Sequence, residues 1–133
     1  MGYDVYGLEP ASKDGEYFRM SIATWPPLWK FVQKITPFEI PNWERGLFND
    51  GQEYSPDVAR RMADAIEQFL QSGDKFEYEE VFTVSMLAGL AAGLVHPGQL
   101  RFSKPPPGDD PYWLDALRRF AAFCRASGGF AVR

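Results

Sequence analysis

Apolar and polar positions alternate at both ends of the chain, which is the pattern of half-buried strands. Residues 3–8 alternate at the start of the sequence, residues 17–22 alternate in part, and residues 130–132 alternate at the other end. Short strands are therefore predicted at these places. The simplest pairing joins the last strand to the first, and the Asp-Gly pair at residues 14–15 is typical of a hairpin turn between the first two.

A helical period replaces this alternation after residue 25. Apolar side chains recur every three or four residues along one face, at Leu28, Phe31, Val32 and Ile35. The spacing predicts a helix over residues 26–35, whose two leading prolines suit a first helical turn. Thr24 is expected to cap this helix with its hydroxyl, and Pro37 is expected to end it.

The clearest helix of the chain covers residues 55–72. Ser55 is a good cap, a proline follows at the first helical position, and Gly73 is typical of a helix end. Apolar residues form one stripe along it, and charged residues form the opposite face. Within that polar face, Arg60 and Asp64 stand four residues apart and are expected to form an ion pair.

A last helix is predicted to begin at Pro111, after an Asp110 cap, and to end before the two glycines at residues 128–129. Its apolar stripe consists of Trp113, Leu117, Phe120 and Cys124.

Residues 81–95 are nearly all apolar or small. The segment is shorter than the roughly 20 residues that a membrane span needs, so a buried central helix is expected, with a strand before it left open. Small residues recur in it every four positions, at Ser85, Gly89 and Gly93. This strip lets another helix approach closely, within the domain, in a homodimer or, as a further alternative, in a membrane dimer.

Together these elements predict an α+β fold: a mostly helical single domain over residues 1–133, with three to four helices and a small sheet from the N- and C-terminal strands. Residues 37–53 are expected to form a long irregular connection with a turn of helix near residues 42–45. Long connections of this kind are often functional. Trp43, Leu47 and Phe48 are expected to attach it to the core.

Composition narrows the class of protein. The chain has 133 residues, of which 45% are hydrophobic and 16% aromatic, so disorder is excluded and a sizeable core is expected. A single cysteine excludes an internal disulfide, and no signal peptide is visible, which favours the cytoplasm. The net charge of −4 argues against duplex DNA as the default ligand, because phosphate binding requires a basic stripe.

Motifs that would commit the chain to a reaction are missing. The sequence contains no phosphate-binding loop, nucleotide fingerprint, metal-ligand cluster or catalytic triad spacing. His96 is the only histidine, and Cys124, the only thiol, lies at an apolar position of a helix. An enzyme is therefore not favoured, and neither a cofactor nor a metal is expected.

Short motifs at the two ends of the chain are similar to those of one group of proteins. Residues 16–19 are EYFR, Trp25 follows, residues 27–29 are PLW with Phe31 after them, and residues 120–130 are FAAFCRASGGF. These motifs resemble small uncharacterised proteins of bacteria and their phages. Members often carry paired CxxC knuckles, which imply a structural zinc, but this chain has one cysteine and the zinc is not carried over. The resemblance implies no activity, and for a phage-borne chain it implies an inhibitor or accessory of a host system.

Two functional hypotheses follow. The first is a small cytosolic adaptor or modulator that binds another protein, with an exposed aromatic anchor. Its candidate residues are Trp25, Trp29, Trp43 and Arg45. The alternative is a module for single-stranded nucleic acid, in which bases stack on aromatic rings beside cations. Its candidate residues are Arg19, Trp25, Trp29, Lys30 and Lys34. Against both stands the interpretation that the tryptophans only build the core.

Overall fold

The alternating and periodic segments form the strands and helices that their patterns predict. The computed structural model describes residues 2–77 and 110–133. In chain order the elements are β1 (Gly2–Gly7), β2 (Tyr17–Ser21), α1 (Trp25–Ile35), β3 (Gln52–Tyr54), α2 (Pro56–Ser72), α3 (Asp110–Ala126) and β4 (Phe130–Val132). Single 3₁₀ turns cover Lys13–Gly15 and Trp43–Leu47. The predicted α+β class is confirmed.

The sheet joins the two ends of the chain. Its strand order is β2-β1-β4-β3, and all three pairings are antiparallel. The predicted pairing of the last strand with the first is confirmed, with Val5 opposite Val132. β3 was not predicted from the sequence, because a strand of three residues with one buried side chain, Tyr54, is too short to show alternation.

One face of the sheet carries the core. Side chains of β1 and β2 alternate, so that Tyr3, Val5, Phe18 and Met20 are buried while their neighbours are more exposed. Phe120 of α3 packs on this inner face, with its ring centroid 5.1 Å from that of Phe18. The predicted stripe of α3 is confirmed, since its four members are at most 1% exposed: Trp113, Leu117, Phe120 and Cys124.

Of the two predicted helix caps, Ser55 of α2 is confirmed and Thr24 of α1 is wrong. Ser55 caps α2 as expected, and its hydroxyl oxygen accepts a hydrogen bond from the Val58 amide at 3.2 Å. The hydroxyl of Thr24 does not cap α1, because Thr24 already has helical backbone angles (φ −102°, ψ −29°), whereas a capping residue is normally extended. The Ser21 hydroxyl instead accepts from the Thr24 amide at 3.1 Å.

The expected ion pair between Arg60 and Asp64 is wrong. Asp64 accepts a hydrogen bond of 2.7 Å from Arg125 of α3, and the same guanidinium binds both carboxylate oxygens of Glu67 at 3.0 and 2.7 Å. A bidentate contact fixes the relative orientation of its partners. Asp64 is thus tied to α3 rather than paired with Arg60 within the helix.

Several predictions concern residues outside the described ranges. These are the buried helix over residues 81–95, the homodimer strip at Ser85, Gly89 and Gly93, and the role of His96.

Candidate functional site

Trp25 and Trp29 lie at the centre of the core. Both side chains are 0% exposed, and their rings stack with centroids 5.2 Å apart and an interplanar angle of 17°. The interpretation of these two residues as an exposed anchor is therefore wrong, and the core interpretation is confirmed. Neither ring can contact a partner protein or a nucleic-acid base in this structure.

Both buried indoles are satisfied by the same 3₁₀ turn. Trp25 Nε1 donates a hydrogen bond of 2.9 Å to the carbonyl oxygen of Gly46, and Trp29 Nε1 donates one of 2.5 Å to that of Trp43. A buried polar group without a partner would cost free energy, so these bonds make deep burial of the indoles favourable. They also hold the turn Trp43–Leu47 against α1. Trp25 and Trp29 therefore position the surface residues of this turn.

One consequence is a groove between α1 and this turn, which we name the α1 groove. It has a volume of about 300 Å³ and is lined by Pro27, Lys30, Phe31, Gln33, Lys34, Trp43 and Glu77. Trp43 is half-buried, so part of its ring faces the groove. The structure thus brings together three residues that the sequence assigned to two different hypotheses: Lys30, Lys34 and Trp43.

The far wall of the α1 groove is supplied by residues distant in sequence. Phe76 is buried, with its ring 4.4 Å from that of Phe31 and stacked on Trp113 at 4.5 Å. This packing places the next residue, Glu77, beside α1, where its carboxylate accepts from the Lys34 ammonium group in an exposed ion pair. A carboxylate therefore already occupies the cationic side of the groove.

Gln33 lines the α1 groove with a side chain whose amide oxygen is buried. Its Oε1 atom is buried, and no hydrogen-bond donor contacts it within the described chain. An acceptor left in this state costs about 1–3 kcal/mol. The sequence contained a signal for this residue, because positions 30, 33 and 34 share one helix face. No sequence signal indicated Glu77, whose position depends on long-range packing.

Arg45 lies at the other side of the turn and does not line the α1 groove. Its guanidinium forms an ion pair with Asp50 and lies 5.5 Å from the centre of the Phe48 ring. Phe48 is 41% exposed, so its expected attachment to the core is wrong, whereas Trp43 and Leu47 pack against the core as expected. Arg45 and Phe48 form a separate small surface.

Arg19 lies on the outer face of the sheet, away from α1. Its Nη1 donates to Asp4 Oδ1 at 2.7 Å, and the Tyr17 hydroxyl donates to the same oxygen at 2.5 Å. The hydrogen bond from Tyr17 and then the contacts from Arg19 lower the pKa of Asp4. The five residues predicted to form a stacking surface for nucleic acid are thus divided among the core, the outer sheet face and α1.

The reactive side chains in the described part of the chain give little support for a catalytic or metal site. Burial raises the pKa of the Cys124 thiol well above its ordinary value, which suppresses the nucleophilic thiolate. Across residues 2–77 and 111–133, no three metal-ligating side chains stand together as a metal centre would require. The α1 groove is therefore best described as a binding surface.

No helix within the described residues is both long and apolar enough to span a membrane. Comparison of the chain with protein-family models, with curated proteins and with solved structures found no match. The resemblance to small bacterial and phage proteins therefore stays a prediction.

Proposed function

We propose that this chain is a small cytosolic adaptor or modulator that binds another protein through the α1 groove. The single observation that supports the proposal is the position of Trp43, partly exposed beside Lys30 and Lys34 in a cavity of about 300 Å³. The cytosolic location is part of the proposal and is supported by the single, buried cysteine, Cys124.

The composition of the α1 groove favours a protein partner. Interfaces are organised around a few aromatic or apolar anchors at the centre, with polar and charged residues at the rim. Pro27, Phe31 and Trp43 provide the apolar part, and Lys30 and Lys34 provide the rim. The cavity is at the small end of the range for drug-sized ligands, so it suits one or two side chains of a larger partner.

Burial of Trp25 and Trp29 argues against the alternative in which bases of single-stranded nucleic acid stack on these two rings. A stacking surface needs exposed rings beside cations, and Trp25 and Trp29 are both 0% exposed. Trp43 is half-buried, and it is the one tryptophan that lines the α1 groove.

The test is affinity capture from a bacterial lysate, chosen because both ends of the chain resemble bacterial and phage proteins. Wild-type protein is compared with the double variant Lys30→Glu, Lys34→Glu and with Arg60→Glu as a control. Arg60 is exposed on α2 and lies outside the α1 groove. We expect one stoichiometric protein, resistant to nuclease, to be retained by the wild type and the control and lost by the double variant.

Two results would overturn the proposal. One is equal capture by all three proteins, which would place the contact surface elsewhere. The other is recovery only of nucleic acid, or of proteins lost after nuclease treatment. Thermal unfolding of each variant establishes beforehand that the fold is intact.

A further inference from the structure

We infer that the partner presents a peptide segment with acidic side chains next to an apolar anchor. This inference rests on the proposed function, because it specifies the chemistry of the segment that the α1 groove binds. Two independent features of the groove support it: its cations and its apolar floor.

The cations are arranged along one line. Lys30 and Lys34 are separated by four residues on α1, so they lie one above the other on the same helix face. The Lys34 side chain is 59% exposed. Two ammonium groups in this arrangement attract the carboxylates of a partner and would repel a basic segment.

Glu77 shows that the groove accommodates a carboxylate. Its side chain is 65% exposed and forms an ion pair with the Lys34 ammonium group. Because an exposed ion pair contributes little to stability, a carboxylate of the partner can displace Glu77 at little cost. Glu77 is therefore an internal competitor for the acidic segment, and its removal should strengthen binding.

The floor of the groove defines the anchor. Pro27, Phe31 and the accessible part of Trp43 offer apolar surface between the cations and the 3₁₀ turn. Aromatic and aliphatic side chains gain most from such a site, since the gain from burial grows with the apolar surface removed from water. We therefore expect a leucine, phenylalanine or tryptophan with aspartate or glutamate within a few residues.

The test uses a random peptide display library selected on the intact protein and counter-selected on Lys30→Glu, Lys34→Glu. Enriched peptides should contain an apolar residue flanked by Asp or Glu. The best peptide is then synthesised with a fluorescent label, together with a version in which every Glu is replaced by Gln. Fluorescence anisotropy should show binding about tenfold weaker for the Gln version, and weaker binding of the acidic peptide at high salt.

One further variant tests the role of Glu77. Glu77→Gln should bind the acidic peptide more tightly and leave the Gln peptide unaffected. Enrichment of peptides without acidic residues, equal affinity for the Glu and Gln versions, or no enrichment over the counter-selected variant would each overturn the inference.

Failure of the inference differs from failure of the proposed function. If lysate capture depends on Lys30 and Lys34 while selected peptides lack acidic residues, the α1 groove remains the partner site and only the acidic segment is wrong. If lysate capture is insensitive to both lysines, the proposed function itself is wrong.

Discussion

The indole N–H of Trp29 donates a hydrogen bond of 2.5 Å to the carbonyl oxygen of Trp43. This bond links a fully buried residue of α1 to the turn that forms one side of the α1 groove. Core packing and the geometry of the candidate site are therefore coupled. A change at Trp29 should affect both stability and binding, although its side chain contacts no solvent.

Trp29→Phe tests this coupling. The substitution keeps an aromatic ring but removes the donor, so the Trp43 carbonyl oxygen loses its partner and the core loses volume. We expect the free energy of unfolding to fall by about 2–4 kcal/mol, measured by urea denaturation. Trp43→Phe is the matched control, because it keeps the backbone carbonyl and the hydrogen bond from Trp29. It should lower stability less, and a larger loss than for Trp29→Phe would contradict the assignment.

Gly46 is a second position where the turn and the core meet. A β-carbon at this residue would lie 2.6 Å from Nε1 of Trp29 and 2.7 Å from the adjacent ring carbon. A buried ring cannot move away easily, so Gly46→Ala should destabilise the protein by about 1–3 kcal/mol. Glu44→Ala, an exposed change in the same turn, serves as control and should leave the midpoint of thermal unfolding nearly unchanged. Equal midpoints for the two variants would show that the turn is not held against Trp29.

The hydrophobic pattern predicted the three helices α1, α2 and α3 well. It did not predict that Trp25 and Trp29 are fully buried. Periodicity placed Leu28, Phe31, Val32 and Ile35 on one face of α1 and left Trp25 and Trp29 beside it. In the structure a wider part of the α1 surface is buried, because the 3₁₀ turn packs on α1 and accepts both indole hydrogen bonds. A local pattern cannot reveal a partner that lies more than ten residues away in the chain. The same reason hid β3, which is stabilised by its pairing with β4.

Arg125 connects α2 and α3, and its removal should have a modest effect. Its guanidinium contacts Asp64 and both oxygens of Glu67, and these contacts raise the pKa of Arg125. The Arg125 side chain is 44% exposed, however, and solvent screening keeps such pairs near 1 kcal/mol or below. Arg125→Met should therefore lower stability by about 1 kcal/mol at low salt and by less at high salt. Arg118→Met, a change at an exposed site on the same helix, is the control.

The lowered pKa of Asp4 makes the stability of the protein depend on pH in the acidic range. The hydrogen bond from Tyr17, followed by the contacts from Arg19, lowers the pKa of Asp4 below its ordinary value of 3.8. Because the folded state favours the carboxylate, the stabilisation is present above pH 3.8 and is lost as the pH falls through the folded pKa. Titration of the Asp4 carboxyl by NMR should show this low pKa. Tyr17→Phe should raise it towards the ordinary value, and an unchanged pKa would show that the Tyr17 hydroxyl does not donate to Asp4.

Only part of the α1 groove could be predicted from the sequence. Lys30, Gln33 and Lys34 share a helix face, so their proximity follows from the spacing alone. Trp43 and Glu77 join them only because Trp29 holds one segment and the Phe76 ring, packed against Phe31 and stacked on Trp113, holds the other. The chemistry of the α1 groove therefore combines one local signal with two long-range contacts.

Cys124 tests the assignment of the C-terminal helix to the core. The side chain is 1% exposed, and burial raises the pKa of its thiol well above 9.0. The folded state therefore keeps the proton at a pH where the unfolded chain loses it, so stability should fall as the pH rises above about 9. A thiol-reactive chromogenic disulfide should modify the native protein only as fast as the protein opens, and denaturant should accelerate the reaction. Because Cys124 is the only thiol in the sequence, the signal is unambiguous. Rapid stoichiometric modification in native buffer would place this side chain at the surface and contradict the packing of α3 on the sheet.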